Sequence, residues 1–398
     1  MTGERTIPRV PFARPAVLDV PAEYRALQSD DPITRVRTPA GDEAWLVTRY
    51  EHVRALFADE RLGRSHPDPE RAAQISNAAA FGGPSGDYSD EKEEHLRLRK
   101  LFAPSFTVRR MQAMRARLQG VVDELLDRLA DAGPPADLHR EFSFPLPVLA
   151  TCELFGVPEE DREQTLAWSR LTTDLFDSET AGSCDAGAAA LDQLGGYMYK
   201  LIAIKRQNPG EDLVSDLVAA GLDVDEIIGL SAVLFAGHDI TVARLDFGVL
   251  LLLTNPDQWQ ALLDDPALVA PAVEEVLRMS APVDYGLPRY AHADVEIAGV
   301  TIRAGEAVLL ASTVANRDPR TFQDAERFDV GRQINPHLAF GHGRGFCLGA
   351  GLARLELEVA FGAMVRRFPA MRLAAPLDEL ELRTTHLLGG IRRLPVAW

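Results

Sequence analysis

The residue run that could do chemistry is Phe340-Gly341-His342-Gly343-Arg344-Gly345-Phe346-Cys347-Leu348-Gly349, a single cysteine in a glycine-rich loop. Glycines let such a loop turn tightly and bring backbone N–H groups close to a ligand atom. A helical pattern follows at once, over 350–361. A cysteine at a helix N-terminus feels the positive end of the helix dipole, which favours the thiolate. The thiolate is the metal-binding form, and one thiolate is a known way to hold haem iron. Phe340 would then shield the sulfur side of the haem. The competing reading is a buried structural cysteine behind an ordinary glycine-rich loop.

Three more groups stand out. His95 and Arg99, four apart, share one helix face, and two cationic donors on one face suit a haem propionate. Glu275 and Arg278, three apart, also share a face; as a solvated pair they would contribute only a few tenths of a kcal/mol. Asp239 and Thr241 lie within Ala236-Gly237-His238-Asp239-Ile240-Thr241, in the middle of the chain's most apolar stretch.

The elements that must position these residues can be read from pattern. The chain has 398 residues, with 46% apolar and 25% charged, as in soluble globular proteins. A net charge of -17 argues against nucleic acid and against an anionic membrane surface as partners. The three cysteines, Cys152, Cys184 and Cys347, are odd in number and widely spaced. They predict neither a disulfide framework nor a zinc site and fit a reducing, cytoplasmic setting. The first fifteen residues lack an apolar signal-peptide core. The stretch 227–253 is long enough to span a bilayer, but His238, Asp239, Arg244 and Asp246 in it would be costly in lipid, so it reads as a buried helix.

Strands are predicted over 33–37 and 44–48, around the turn at 39–42, and again over 295–297, 301–302 and 307–311, with turns at Gly299 and Gly305. Helices are predicted over 108–131, 159–175, 188–206, 224–253, 257–264 and 269–279. The segment 65–94 reads as a recognition loop. The expected fold is mostly α (α+β), helix-rich with small sheets, in a single domain over 1–398.

The spacing Phe-Gly-x-Gly-x-x-x-Cys-x-Gly is similar to the haem-ligand loop of the cytochrome P450 family. The remaining segments resemble that family in order and distance, and the chain resembles its soluble bacterial members, among them actinobacterial natural-product hydroxylases. The resemblance implies Cys347 as the iron ligand, in a loop with Phe340, Gly341 and Gly349. It implies propionate donors at His95, Arg99 and Arg289. The family's usual histidine two residues before the cysteine is Gly345 here, with Arg344 as a possible substitute. Asp324-Ala325-Glu326-Arg327-Phe328 is similar to the family's meander motif, with Ala325 where proline is usual, and implies a buried triad of Glu275, Arg278 and Arg327.

In the family, small residues at Ala236 and Gly237 leave room for dioxygen, and an acid and an alcohol relay protons to it. Asp239 matches the acid. Ile240 stands where the threonine is usual, and Thr241 lies one residue on, rotated about 100° round the helix. Either water organised by Asp239 and a substrate hydroxyl delivers the protons, or a local helix distortion brings Thr241 into play. A third reading has Asp239 only pairing with a distant arginine or histidine. His238 is expected to be structural.

The implied activity is that of a haem-thiolate monooxygenase using haem b and O2. Electrons would come from ferredoxin and ferredoxin reductase, since no flavin or iron–sulfur segment is apparent. Arg354 and Lys100 are candidates for a basic patch that receives the donor. The enzyme is expected to be a monomer that binds neither nucleic acid nor membrane. Implied substrate contacts are 65–94, 168–178, Leu234, Phe235, Val283, Asp284, Tyr285, Leu287, Leu387 and Leu388. They are mainly apolar and suit a bulky, partly apolar secondary metabolite to be hydroxylated or epoxidised, with Asp284 and Tyr285 holding a polar handle. The alternatives are an oxidative C–C or C–O coupling enzyme and a non-catalytic haem sensor.

Overall fold

The computed structural model describes residues 7–78, 81–177, 185–235 and 237–398, other than the Val233 side chain. Ser178, Cys184 and Ala236 lie outside the described residues. Helices make up most of the rest, beside a five-stranded sheet and two smaller ones.

The predicted hairpin forms between Ile33–Arg37 and Glu43–Val47, with Ile33 opposite Val47. Side chains alternate faces along these strands. Val36, Leu46, Tyr290 and Leu309 therefore pack one way, with Val10 and Tyr24. Ile33, Val47, Val308 and Leu310 pack the other way, with Val53 and Leu56. The sheet continues through Ala307–Leu310 and Arg289–Ala291 to a short edge strand, Leu62–Gly63.

The helical body is built on apolar stripes at three- and four-residue spacing. The Val108–Ala132 helix buries Met111, Met114, Leu118, Val121, Val122, Leu125 and Leu129, and Thr107 caps it by accepting from the Arg110 N–H at 3.3 Å. Burying a leucine such as Leu118 contributes roughly 1.5–3 kcal/mol. That stripe meets the Ala350–Arg367 helix, whose N-terminus follows the Cys347 loop.

The predicted 224–253 helix is in fact two, Val224–Phe235 and His238–Thr254. The Gly237 N–H bonds Leu234 O at 3.0 Å in a tight turn, and His238 Nδ1 donates to Phe235 O. A side chain thus serves one of the carbonyls that the break frees, which hydrophobic periodicity does not register. Arg244 and Asp246 in the stretch are hydrogen-bonded inside the protein. Arg244 donates to Ser280 O and Oγ at 2.5 and 2.6 Å, and His139 bonds Asp246 at 2.7 Å. No helix among the described residues is long and apolar enough to cross a membrane. The predicted 159–175 helix keeps its α-helical part only over Arg162–Thr172, with single 3-10 turns on either side.

Candidate active site

The Cys347 loop is held by its own backbone. Gly341 and Gly343 both adopt φ of 71°, which glycine reaches at low cost. A Cβ on Gly343 would lie 2.9 Å from Ala58 Cα, so the close approach also needs glycine. The Cys347 N–H donates to Phe340 O at 2.9 Å. Phe340 and Phe346 rings lie 6.1 Å apart beside the cysteine. Cys347 itself is exposed. Surrounding protein pushes its thiol up, opposed by the Gly349 N–H, by Arg64 and Arg99, and by the Ala350 N–H. Those donors and cations favour an anionic sulfur, which a metal ligand requires.

Arg354, expected in a basic patch, is instead engaged. It donates to Glu274 at 2.6 and 3.0 Å and stacks over the Phe340 ring at 4.6 Å. Lys100 is exposed.

The predicted propionate donors converge. His95 and Arg99 project from the Glu91–Phe102 helix, and Arg99 donates to Phe346 O at 2.7 Å. The buried Nδ1 of His95 has no partner among the described residues. Burial, then Arg99 and Arg344, push the His95 pKa down. Burial, then Arg64, push Arg289 down to about 9. An excess of cations and an orphaned imidazole nitrogen fit the two carboxylates of haem b, which these residues could hold. Arg344 lies 4.0 Å from Glu60. Arg64 was missed by motif reading, because it lies in no recognisable pattern.

Asp239 is buried at the start of the second helix. Its Oδ1 accepts from Thr173 Oγ1 at 3.3 Å and lies 3.4 Å from His238 Nε2. Its Oδ2 has no partner among the described residues. Arg383 and His386 sit close enough to feel the Asp239 charge, and neither carried a sequence signal. Ile240 is 37% exposed whereas Thr241 is 7% exposed. The break at Gly237 comes before both residues, which lie in the regular His238–Thr254 helix with Ile240 the more exposed.

The triad needs correction. Glu275 and Arg278 are fully buried and bond at 2.7 and 2.8 Å. The second cation on Glu275 is Arg332, whose Nε lies 3.1 Å from both carboxylate oxygens. Arg327 is exposed and supplies only its carbonyl, to Arg278 at 3.0 Å. The meander winds so that Arg332 comes back over the pair, a matter of loop path that spacing does not specify.

Asp284 is not free to hold a substrate. Its carboxylate is occupied by Arg14 at 2.6 Å and by the Tyr24 hydroxyl at 3.0 Å. Tyr285 packs with the Tyr24 side of the sheet, and Phe235 packs into the main helical core. Leu234, Val283, Leu287 and Leu388 are half-buried. The predicted recognition segments do meet: Phe81 stacks on Phe176 at 5.9 Å, Phe176 lies 5.8 Å from His386, and the Leu387 N–H bonds Phe176 O.

The cytochrome P450 family model matches residues 219–383. Pentalenolactone synthase of Streptomyces exfoliatus is 44% identical, over 98% of this chain and 99% of that protein. Mycinamicin IV hydroxylase/epoxidase of Micromonospora griseorubida is 42% identical, over 98% of each. The solved structure of the pimaricin epoxidase PimD superposes with a TM-score of 0.89 at 40% identity, covering 99% of this chain and 100% of that one. The chain belongs to the cytochrome P450 family and is a P450 monooxygenase. Membership implies a haem-thiolate centre, redox partners and a small-molecule substrate.

Proposed function

We propose that this enzyme hydroxylates or epoxidises a bulky, partly apolar secondary metabolite. Its relatives support that class: their names describe a mycinamicin IV hydroxylase/epoxidase, a polyene macrolide epoxidase and pentalenolactone synthase. The observation that carries the reading is the exposed Cys347 in a fixed glycine loop, with the Gly349 and Ala350 N–H groups directed at its sulfur.

Cys347 would ligate the iron of haem b, and that group, when bound, would supply the oxygen-activating chemistry. His95, Arg99 and Arg289 would hold the two carboxylates of that group. Asp239 holds and passes protons at its unpartnered Oδ2, while Thr173 and His238 orient Oδ1. Ile240 offers no hydroxyl on the open side, so water or a substrate hydroxyl completes the relay. The aromatic group of Phe81 and Phe176, with Leu388 nearby, places and desolvates the substrate. Ferredoxin with its reductase supplies the electrons to a cytoplasmic, monomeric, single-domain enzyme.

The test is the carbon monoxide difference spectrum of the reduced protein, for wild type and Cys347→Ala. A red-shifted Soret band in wild type that is lost in the variant supports the reading. Only the shorter-wavelength band in wild type sinks the thiolate assignment. Heavy-oxygen labelling of the product then separates oxygen insertion from oxidative coupling.

A further inference from the structure

The edge strand beside the Cys347 loop carries a cation that no motif includes. Leu62 pairs with Ala291 and Gly63 with Tyr290 in antiparallel register. The next step along that ladder sets Arg64 opposite Arg289. Opposed side chains stand about 4.5–5.5 Å apart at Cβ, and like charges there repel. The nearest carboxylate, Glu91, is taken up elsewhere: it accepts from the Arg64 and Ser65 N–H groups at 2.8 and 2.9 Å and from the Ser65 hydroxyl. Arg289 Nη1 reaches only the carbonyls of Leu287 and Pro288. Among the described residues neither guanidinium has a carboxylate bonded to it; the Glu91 charge acts on both but is spent on the two amides and the hydroxyl.

The Glu91–Phe102 helix ties this pair to the cysteine. Glu91, His95 and Arg99 recur every four residues on one face. Glu91 is bonded to the Arg64 amide at one end, and Arg99 to Phe346 O, next to Cys347, at the other. The unpartnered, buried Nδ1 of His95 lies on the same face between them. Gly345, where relatives usually carry a histidine, leaves that corner open: a Cβ there would meet nothing within 4 Å. The neighbouring Arg344 lies against Glu60. The Arg64 side chain is exposed, although surrounding protein depresses its pKa.

We propose that Arg64 is a haem-propionate donor that, with Arg289, takes over the corner vacated by the histidine absent at Gly345. This rests on the haem reading above. The planar guanidinium can bind a carboxylate through two parallel N–H bonds, and the carboxylate relieves the repulsion between the arginines.

The experiment is haem transfer from the full-length holoprotein to excess apomyoglobin, followed at the Soret band. Wild type, Arg64→Gln and Arg64→Lys are compared, each loaded with haem b and with its dimethyl ester, whose propionates carry no charge. With haem b, Arg64→Gln is expected to release haem about tenfold faster than wild type, and Arg64→Lys to fall between. With the dimethyl ester the three proteins are expected to release it alike. Equal release of haem b by all three overturns the proposal. So does equal acceleration with both haems, which would mean that Arg64 only supports packing. A wild-type protein that takes up no haem would overturn the haem reading as well.

Discussion

Thr173 Oγ1 lies 3.3 Å from Asp239 Oδ1 and 3.1 Å from Ser169 O, sharing its one proton between them and joining residues 66 apart in sequence at the buried start of a helix. The bond holds one carboxylate oxygen and leaves the other without a partner. A fixed acid with one unsatisfied oxygen is suited to exchanging protons with water or a ligand.

Asp239→Asn is therefore expected to lower the rate of product formation by about 100-fold, with substrate-induced spectral binding little changed. Thr173→Val should give a smaller loss in the same direction. Single-turnover rates and binding titrations, in light and heavy water, check both. Normal turnover by Asp239→Asn would remove Asp239 from the proton route.

Ile240→Thr places a hydroxyl on the open side of the helix, where the isoleucine is 37% exposed. The variant should retain haem. It should raise the fraction of electrons that reach product on substrates lacking a hydroxyl near the reacting carbon, with little change for hydroxylated ones. Comparing product with NAD(P)H consumed, on hydroxylated and deoxygenated forms of one scaffold, tests this. Equal coupling on both forms before and after substitution would contradict substrate assistance.

Arg332 and Arg327 should differ sharply in stability experiments. Arg332→Ala removes a cation bonded to a fully buried carboxylate and should cost about 3 kcal/mol. Arg327→Ala leaves the carbonyl that Arg278 uses and should stay within about 0.5 kcal/mol of wild type. Denaturant unfolding of the two variants side by side decides. Equal losses would mean that the Arg327 side chain contributes after all.

His386 should make the protein sensitive to mild acid. Burial, then Arg383, push its pKa down to about 4 from 6.5. Its Nδ1 accepts from the Leu388 N–H at 3.2 Å, which requires the neutral ring, and Nε2 donates to Thr173 O at 3.1 Å. The unfolded chain takes up the proton first, so this contribution is whole above about pH 6.5 and is lost as pH falls toward 4, by at most about 3 kcal/mol. Thermal midpoints from pH 8 to 4.5 should fall more steeply for wild type than for His386→Gln. Parallel curves would show that His386 does not control the acid limb.

Much of this protein could be read from local pattern. The hairpin around Gly41, the Val269–Met279 helix and the Cys347 loop depend on interactions within a few residues, where propensity, periodicity and glycine conformation act directly. The family motifs are local for the same reason. His95 and Arg99, one turn apart, kept their common face because helix geometry fixes it.

Tertiary structure decided what depends on residues distant in sequence. It divided the 224–253 stretch at Gly237, where His238 competes for a backbone carbonyl. It chose Arg332 over Arg327 because the meander's path carries that guanidinium back onto Glu275. It occupied Asp284 with Arg14, 270 residues away, and brought Thr173 to Asp239. It also set Arg64 against Arg289 through strand register. The sequence by itself determined the kind of site this chain can build, since that rests on residue chemistry and short spacing. Which charges meet there was decided only by folding, because an ion pair needs its partners within a few ångströms and chain separation says nothing about that.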